Sequence, residues 1–147
     1  MDRKALFVTL KEQGYKLDFL YNLYAKSVDL NFTSILVLQL LHDATEVYTQ
    51  KDICEKLGLP KHLVNVIIKS FWEQGFVKLK EAKDRRNKEI IVTSKGKKYA
   101  ISVLKPLEDI EFSVWDSLSD EELTTFVRAM ERYVESFESV LNEIVKY

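Results

Sequence analysis

Two helical patterns meet at Gly58-Leu59-Pro60, and this junction limits the chain to a small set of folds. The first pattern begins at Thr49, where Asp52 three residues on completes a capping box, and Gly58 is placed to end it in a left-handed conformation. Pro60 suits the first turn of the second pattern, because a first-turn residue needs no backbone N–H donor. Two helices joined by so short a link predict a helix-turn-helix.

The second pattern has one apolar face and one polar face. Its apolar residues recur at three- and four-residue steps, which places them on one side of a helix: Val64, Ile67, Ile68 and Phe71. The opposite side carries Lys61, His62, Asn65 and Lys69. A polar helical face of this kind is suited to the major groove of double-stranded DNA.

An antiparallel hairpin is predicted directly after the second helix. Residues 76–80 and 89–92 alternate in polarity on either side of a strongly charged turn, and a hairpin in this position is a wing. Thr93-Ser94-Lys95-Gly96 then starts another helix, which Pro106 is expected to bend or interrupt. The predicted fold class is therefore mainly α with a small β-hairpin wing, a winged helix-turn-helix.

Further helical patterns flank this centre. Leu6 to Tyr24 is loosely patterned, and Gly14 is expected to kink or break it. Its aromatic residues fit a dimer contact, a pocket for a flat ligand or ordinary core packing, and core packing is the default: Phe7, Tyr15, Phe19, Tyr21 and Tyr24. Asn31 or Thr33 is expected to cap the next helix, which is apolar on nearly every side and therefore central.

The last helical pattern follows a capping box, Ser119 to Glu122, and carries a wide apolar stripe for about six turns. A stripe this long is buried only against another helix, of this chain or of a partner. We therefore expect a homodimer formed by the N- and C-terminal helices; a monomer with these helices folded back is the alternative. The expected division is residues 1–32 and 99–147 for dimerisation and 33–98 for DNA binding.

Charge is unevenly distributed along the chain. Residues 51–98 hold thirteen Lys and Arg against six Asp and Glu, whereas the remaining residues hold nine against seventeen. The net charge of −1 therefore conceals a basic centre with acidic flanks. Such asymmetry indicates a polyanionic partner for the centre.

Other features argue against other classes of protein. No uncharged apolar run is long enough to span a membrane and the N-terminus is too polar for a signal peptide, so a cytoplasmic protein is expected. Neither cofactor nor catalytic activity is expected, since the sequence has only two histidines, four glycines and no metal-ligand spacing. Cys54, the single cysteine, is expected to be buried and unreactive.

The motifs resemble those of the MarR family of bacterial transcriptional regulators. The similar segments are residues 48–59 at the helix-turn-helix entry, Gly75-Phe76-Val77, Asp84-Arg85-Arg86 in the wing, residues 92–96 and residues 119–123. The resemblance implies a dimeric repressor of a pseudo-palindromic operator, often with an effector site between the DNA-binding lobe and the dimerisation helices. This chain departs from the family pattern at Lys61, His62, Leu63, Val66 and Leu79, so its base preference is not implied.

Contacts with double-stranded DNA are expected from three elements. In the second helix, Asn65 can pair with an adenine edge, and Lys61 and His62 can reach base edges or phosphate. Leu63 can touch a thymine methyl if it is exposed, and Lys69 is expected to lie closer to the DNA backbone. Gln50 and Lys51 suit a phosphate at a helix N-terminus. The resemblance implies that Arg86, with Arg85, enters the minor groove and that Asp84 stabilises the wing.

Three functions remain open from the sequence. A ligand-responsive regulator is the leading interpretation, and a small aromatic or lipophilic effector would fit the aromatic residues. A winged-helix module that binds an acidic protein is the second, although the wing arginines favour a DNA groove. The third is a dimer without an effector.

Overall fold

The computed structural model describes residues 1–83 and 87–146. Its elements are, in chain order, α1 (Arg3–Ser27), α2 (Phe32–Asp43), β1 (Tyr48–Thr49), α3 (Gln50–Leu57), α4 (Lys61–Glu73), β2 (Val77–Glu81), β3 (Lys88–Val92), α5 (Ser94–Asp116) and α6 (Asp120–Ile144). The mainly α fold with a β-hairpin is confirmed. The chain forms two compact units, divided between Leu107 and Glu108.

Polar side chains fix the start of three helices where the sequence predicts it. Asn31 Oδ1 accepts the Ser34 N–H at 2.8 Å at the start of α2. Capping boxes begin α3, between Thr49 and Asp52, and α6, between Ser119 and Glu122. Each box satisfies two backbone donors that a helix N-terminus leaves without partners, so these boundaries are set locally.

The three strands form one antiparallel sheet in the order β1-β3-β2. Val77 lies opposite Val92 in the hairpin, and Tyr48 lies opposite Ile90 on the other edge of β3. The first strand, Tyr48–Thr49, is only two residues long. Pairing of β1 with β3 ties the segment before α3 to the wing.

The core of the first unit lies between α2, α3, α4 and the sheet. Val37, Ile53, Val64 and Ile68 are completely buried, and Phe71 is 1% exposed. Each such side chain contributes about 1.5–3 kcal/mol by leaving water. The prediction that α2 is central is confirmed, because four of its apolar residues belong to this core: Ile35, Val37, Leu38 and Leu41.

A break of α1 at Gly14 and an interruption of α5 at Pro106 are both wrong, whereas a kink or bend at these positions stays a prediction. Gly14 lies inside α1, which continues to Ser27, and a side chain there would meet no atom within 4 Å. Pro106 lies inside α5, which continues to Asp116. Both Pro106 and Ser102, whose carbonyl loses its helical donor, are exposed, so water can replace that hydrogen bond.

Only the end of α1 joins the core. Tyr21 lies against Phe32 with ring centroids 4.8 Å apart, and the Tyr24 hydroxyl donates to the Val103 carbonyl. Residues 1–20 are all exposed within this chain. Core packing is therefore wrong for the three aromatic residues of that stretch: Phe7, Tyr15 and Phe19.

The second unit contains the end of α5 and all of α6. Its α6 stripe contains the predicted apolar residues, but no residue of this helix is buried. Phe126, Met130, Tyr133 and Phe137 are each about half exposed. The predicted apolar stripe is present, but within the described residues of this chain no other element buries it.

Candidate nucleic-acid interface

The turn between α3 and α4 sets the direction of the polar helical face. Gly58 adopts φ 63°, a left-handed conformation that glycine reaches without a Cβ clash, and the Leu59 N–H donates to the Cys54 carbonyl at 3.1 Å. Pro60 is the residue before α4 rather than its first residue. The short turn fixes α4 against α3, as a helix-turn-helix requires.

One face of α4 packs on the core and the other is exposed. Val64, Ile67, Ile68 and Phe71 are buried. The polar residues predicted to meet DNA are all exposed: Lys61, His62, Asn65 and Lys69. Leu63 is half-buried and packs against the core, so the condition for its contact with a base is not met. Sequence reasoning overlooked Val66, which is 64% exposed.

A groove of about 500 Å³ lies between α3, α4 and the hairpin. It brings together four predicted residues, Gln50, Lys51, Lys61 and Asn65, with four that were not predicted, Cys54, Leu79, Asn87 and Lys88. Among the described residues, three lysines and no acidic residue line it. The lysines of the hairpin segment indicated a positive charge in the sequence. Their spacing did not predict that Lys88 lines the groove together with residues of α3 and α4.

The capping box of α3 shapes one end of this groove. The Asp52 carboxylate accepts the Thr49 N–H at 2.8 Å, and the Thr49 hydroxyl accepts the Asp52 N–H at 3.3 Å. The backbone N–H of Thr49 holds the pKa of Asp52 below its usual value, with smaller effects from the Thr49 hydroxyl and two lysines. Gln50 and Lys51 supply the next two amides of this helix N-terminus, where an anion is favoured.

Two candidate lysines also form weak ion pairs. Lys51 lies 4.0 Å from Glu55, and Lys69 lies 4.0 Å from Glu73. All four side chains are more than half exposed. Pairs of this kind contribute less than about 1 kcal/mol, so a phosphate can compete for both lysines.

The base of the wing is held by Thr93, which sequence reasoning treated only as a helix start. Its hydroxyl donates to the Gly75 carbonyl at 2.6 Å and accepts the Gly96 N–H at 3.0 Å. A Cβ on Gly96 would lie 2.0 Å from the Phe76 carbonyl oxygen, so only glycine fits. Phe76 in turn stacks on Tyr99 with centroids 3.9 Å apart. The hairpin is thereby fixed to the first turns of α5.

Three further residues were predicted to contact DNA or to stabilise the wing. Asp84, Arg85 and Arg86 lie outside the described residues. The strands that lead to them carry exposed lysines at positions 78, 80 and 88. The described part of the hairpin is therefore basic up to its tip.

The remaining site types have little structural support in the described residues. Cys54 is half-buried rather than completely buried, because its side chain reaches the groove. Within residues 1–83 and 87–146, no three His, Cys, Asp or Glu side chains gather as a metal ion would require. Nor does any helix in that part of the chain combine the length and apolar character of a membrane span.

A helix-turn-helix followed by a hairpin and backed by a further helix defines a winged helix-turn-helix protein. The MarR family model matches residues 28–87, which contain α2, α3, α4 and β2. A MarR family regulator from Neisseria meningitidis has a similar structure, with a TM-score of 0.68 and 27% identity over 92% of this chain and 97% of that chain. Residues 28–87 are therefore similar to the MarR family of transcriptional regulators, and most of the chain shares its fold with a regulator of that family.

Other relatives agree with this similarity. The HTH-type transcriptional regulator SarZ of Staphylococcus haemolyticus is 28% identical over 117 residues, 79% of this chain and 76% of that protein. The MepR-DNA complex of Staphylococcus aureus contains a similar fold, with a TM-score of 0.74 over 88% of this chain and 96% of that chain. Its identity of 17% supports the shared fold alone.

Proposed function

We propose that this chain binds a pseudo-palindromic operator as a homodimer and acts as a repressor. The observation that carries the proposal is the groove in which lysines from α3, α4 and β3 meet beside the exposed face of α4. Lysines neutralise phosphate, whereas the amide and imidazole groups of α4 can address base edges. The fold is shared with MepR, whose structure was determined with DNA.

Each element has a distinct role in the proposed complex. Helix α4 enters the major groove with His62 and Asn65 directed at bases. Lys51 and Lys88 contact phosphates from the groove beside α4, and the Gln50 amide contributes at the α3 N-terminus. Arg86 and Arg85 reach the adjacent minor groove from the wing tip, and Asp84 pairs with a neighbouring arginine.

The proposed dimer uses the faces that one chain leaves exposed. Leu6, Leu10, Leu17 and Leu20 of α1 are each about half exposed, as is the α6 stripe. Exposed apolar area of this extent is unfavourable in water and marks an interaction surface. Residues 1–32 and 99–147 would form the dimerisation region around two lobes of residues 33–98. A small aromatic or lipophilic effector that binds beside these helices would release the operator in the cytoplasm.

Lysine substitutions in the groove test the proposal. A duplex is first enriched from a random pool by the wild-type protein, and its binding is then followed by fluorescence anisotropy over a range of salt concentrations. We expect Lys88→Ala to weaken binding several-fold and to reduce the slope of log affinity against log salt by about two, because each subunit of the dimer loses one phosphate contact.

The control is Lys4→Ala, which removes the same charge from an exposed position in α1. It should leave both affinity and salt slope unchanged. Equal effects of the two substitutions would mean that only total charge matters and would contradict a specific groove. Absence of any enriched duplex would contradict the proposed function itself.

A further inference from the structure

The outward direction of α4 is defined by its buried residues. At about 100° per residue, His62, Val66 and Lys69 lie within about 30° of the direction opposite the buried face. Asn65 is about 70° away, on the side of the wing groove, and Leu63 is about 90° away. Val66 is 64% exposed, whereas Leu63 packs against the core. Val66 is thus the apolar side chain nearest the centre of the exposed face.

Folding does not account for a valine at this position. An exposed side chain gains little from burial, and a β-branched residue is a poorer helix former than alanine, lysine or glutamate. Its neighbours one turn away on the same face are His62 and Lys69, which are polar and exposed. Val66 therefore places an isolated apolar group between side chains suited to polar contacts with DNA.

We propose that Val66 is a specificity-determining residue that selects a thymine in the operator. This inference rests on the proposed DNA-binding function and names the chemical group that α4 reads. The C5 methyl of thymine is the apolar group that base pairs present in the major groove. The Val66 isopropyl group packs on this methyl, while His62 and Lys69 address the neighbouring polar edges or phosphates. Burial of one methyl favours binding about four-fold.

Deoxyuridine provides a direct test, because it differs from thymidine only by the missing methyl. In the duplex enriched by the wild-type protein, thymines are replaced by deoxyuridine one symmetric pair at a time, and affinity is measured by anisotropy. We expect one pair at which the replacement lowers wild-type affinity by about sixteen-fold, because the dimer loses two methyl contacts of about four-fold each. Val66→Ala should bind the thymidine and deoxyuridine duplexes equally at that pair.

Val47→Ala is the matched control, since Val47 is 51% exposed and lies outside α4. It should keep the wild-type response to deoxyuridine, and both variants should keep the wild-type thermal midpoint. A wild-type protein indifferent to every replacement would overturn the proposal, as would a Val66→Ala variant that still distinguishes the two bases. Failure to enrich any duplex would instead overturn the DNA-binding function, and this inference with it.

Discussion

Lys61 and Asn65 lie one helical turn apart on α4 and both line the groove beside the hairpin. The amide of Asn65 can donate to and accept from one adenine edge, whereas the ammonium of Lys61 suits a phosphate or a guanine. Val66, next in sequence, faces away from this groove. In the proposed complex, adjacent residues on α4 would therefore address different parts of the same DNA site.

Arg86 is the residue for which the family resemblance predicts a contact in the minor groove. We expect Arg86→Ala to lower affinity for the enriched duplex several-fold or more, because an arginine in a narrow minor groove meets strong negative potential. The thermal midpoint should change little. Arg128→Ala, which removes an exposed arginine from α6, is the control. Unchanged binding by the Arg86 variant in an anisotropy titration would remove this residue from the site.

The candidate site could be predicted only in part from single residues. Helical periodicity was sufficient to place Lys61, His62, Asn65 and Lys69 on the exposed face. The same geometry places Val66 near the centre of the exposed face and Leu63 at its edge, where the packing of neighbouring elements decides that Leu63 is covered. Lys88 lines the groove because of where β3 lies in the fold, and sequence spacing does not predict that position.

The helix starts illustrate how local interactions make elements predictable. In α3, the Asp52 carboxylate bonds to the backbone of Thr49 three residues away, and this contact needs no tertiary structure. Gly14 and Pro106 do not end their helices, because the remaining turns of each long helix outweigh the unfavourable preference of a single residue. Both residues also lie at exposed positions. Glycine there leaves no cavity, and water can replace the hydrogen bond that proline, without a backbone N–H, does not make.

Asp52 predicts a defined pH dependence of stability. Its pKa is lower in the folded chain than the ordinary value of 3.8, so its ionised form stabilises the fold above that value. This contribution, less than about 1 kcal/mol for a partly exposed group, is lost as pH falls from 3.8 through the lowered pKa. In Asp52→Asn, the free energy of unfolding should therefore fall less steeply than in the wild type as the pH is lowered below 3.8. The free energy is measured by urea denaturation at a single protein concentration.

Glu55→Gln serves as the control for this measurement. Glu55 lies in the same helix, and among the described residues its carboxylate makes only the exposed 4.0 Å pair with Lys51. The substitution should leave the acid limb close to wild type. If Asp52→Asn and Glu55→Gln gave the same profile, the capping box would not be the source of the pH dependence.

At the scale of the molecule, the α6 stripe predicts the state of association. Phe137 is 56% exposed in one chain, so Phe137→Glu should not unfold that chain. In a dimer the new carboxylate would be buried against apolar groups without a partner, which is strongly unfavourable. We expect multi-angle light scattering to give a dimer for the wild type and a monomer for the variant, with affinity for the palindromic duplex reduced at least ten-fold.

Thr125→Glu adds the same charge to α6 but on the polar side of the helix, about 130° from the centre of the stripe. It should remain dimeric and should bind the duplex as the wild type does. A monomeric wild-type protein at micromolar concentration would contradict the proposed dimer. The apolar period of α6 was readable from the sequence, but periodicity alone does not specify the surface that covers it.

Gly96 has a consequence for how the protein can move. Because the Phe76 carbonyl occupies the space of a side chain there, the first turn of α5 and the base of the hairpin have no room to slide past each other. Thr93 joins the same groups by hydrogen bonds. The two elements therefore form one stiff joint, and a change in the direction of α5 must also change the direction in which the wing points.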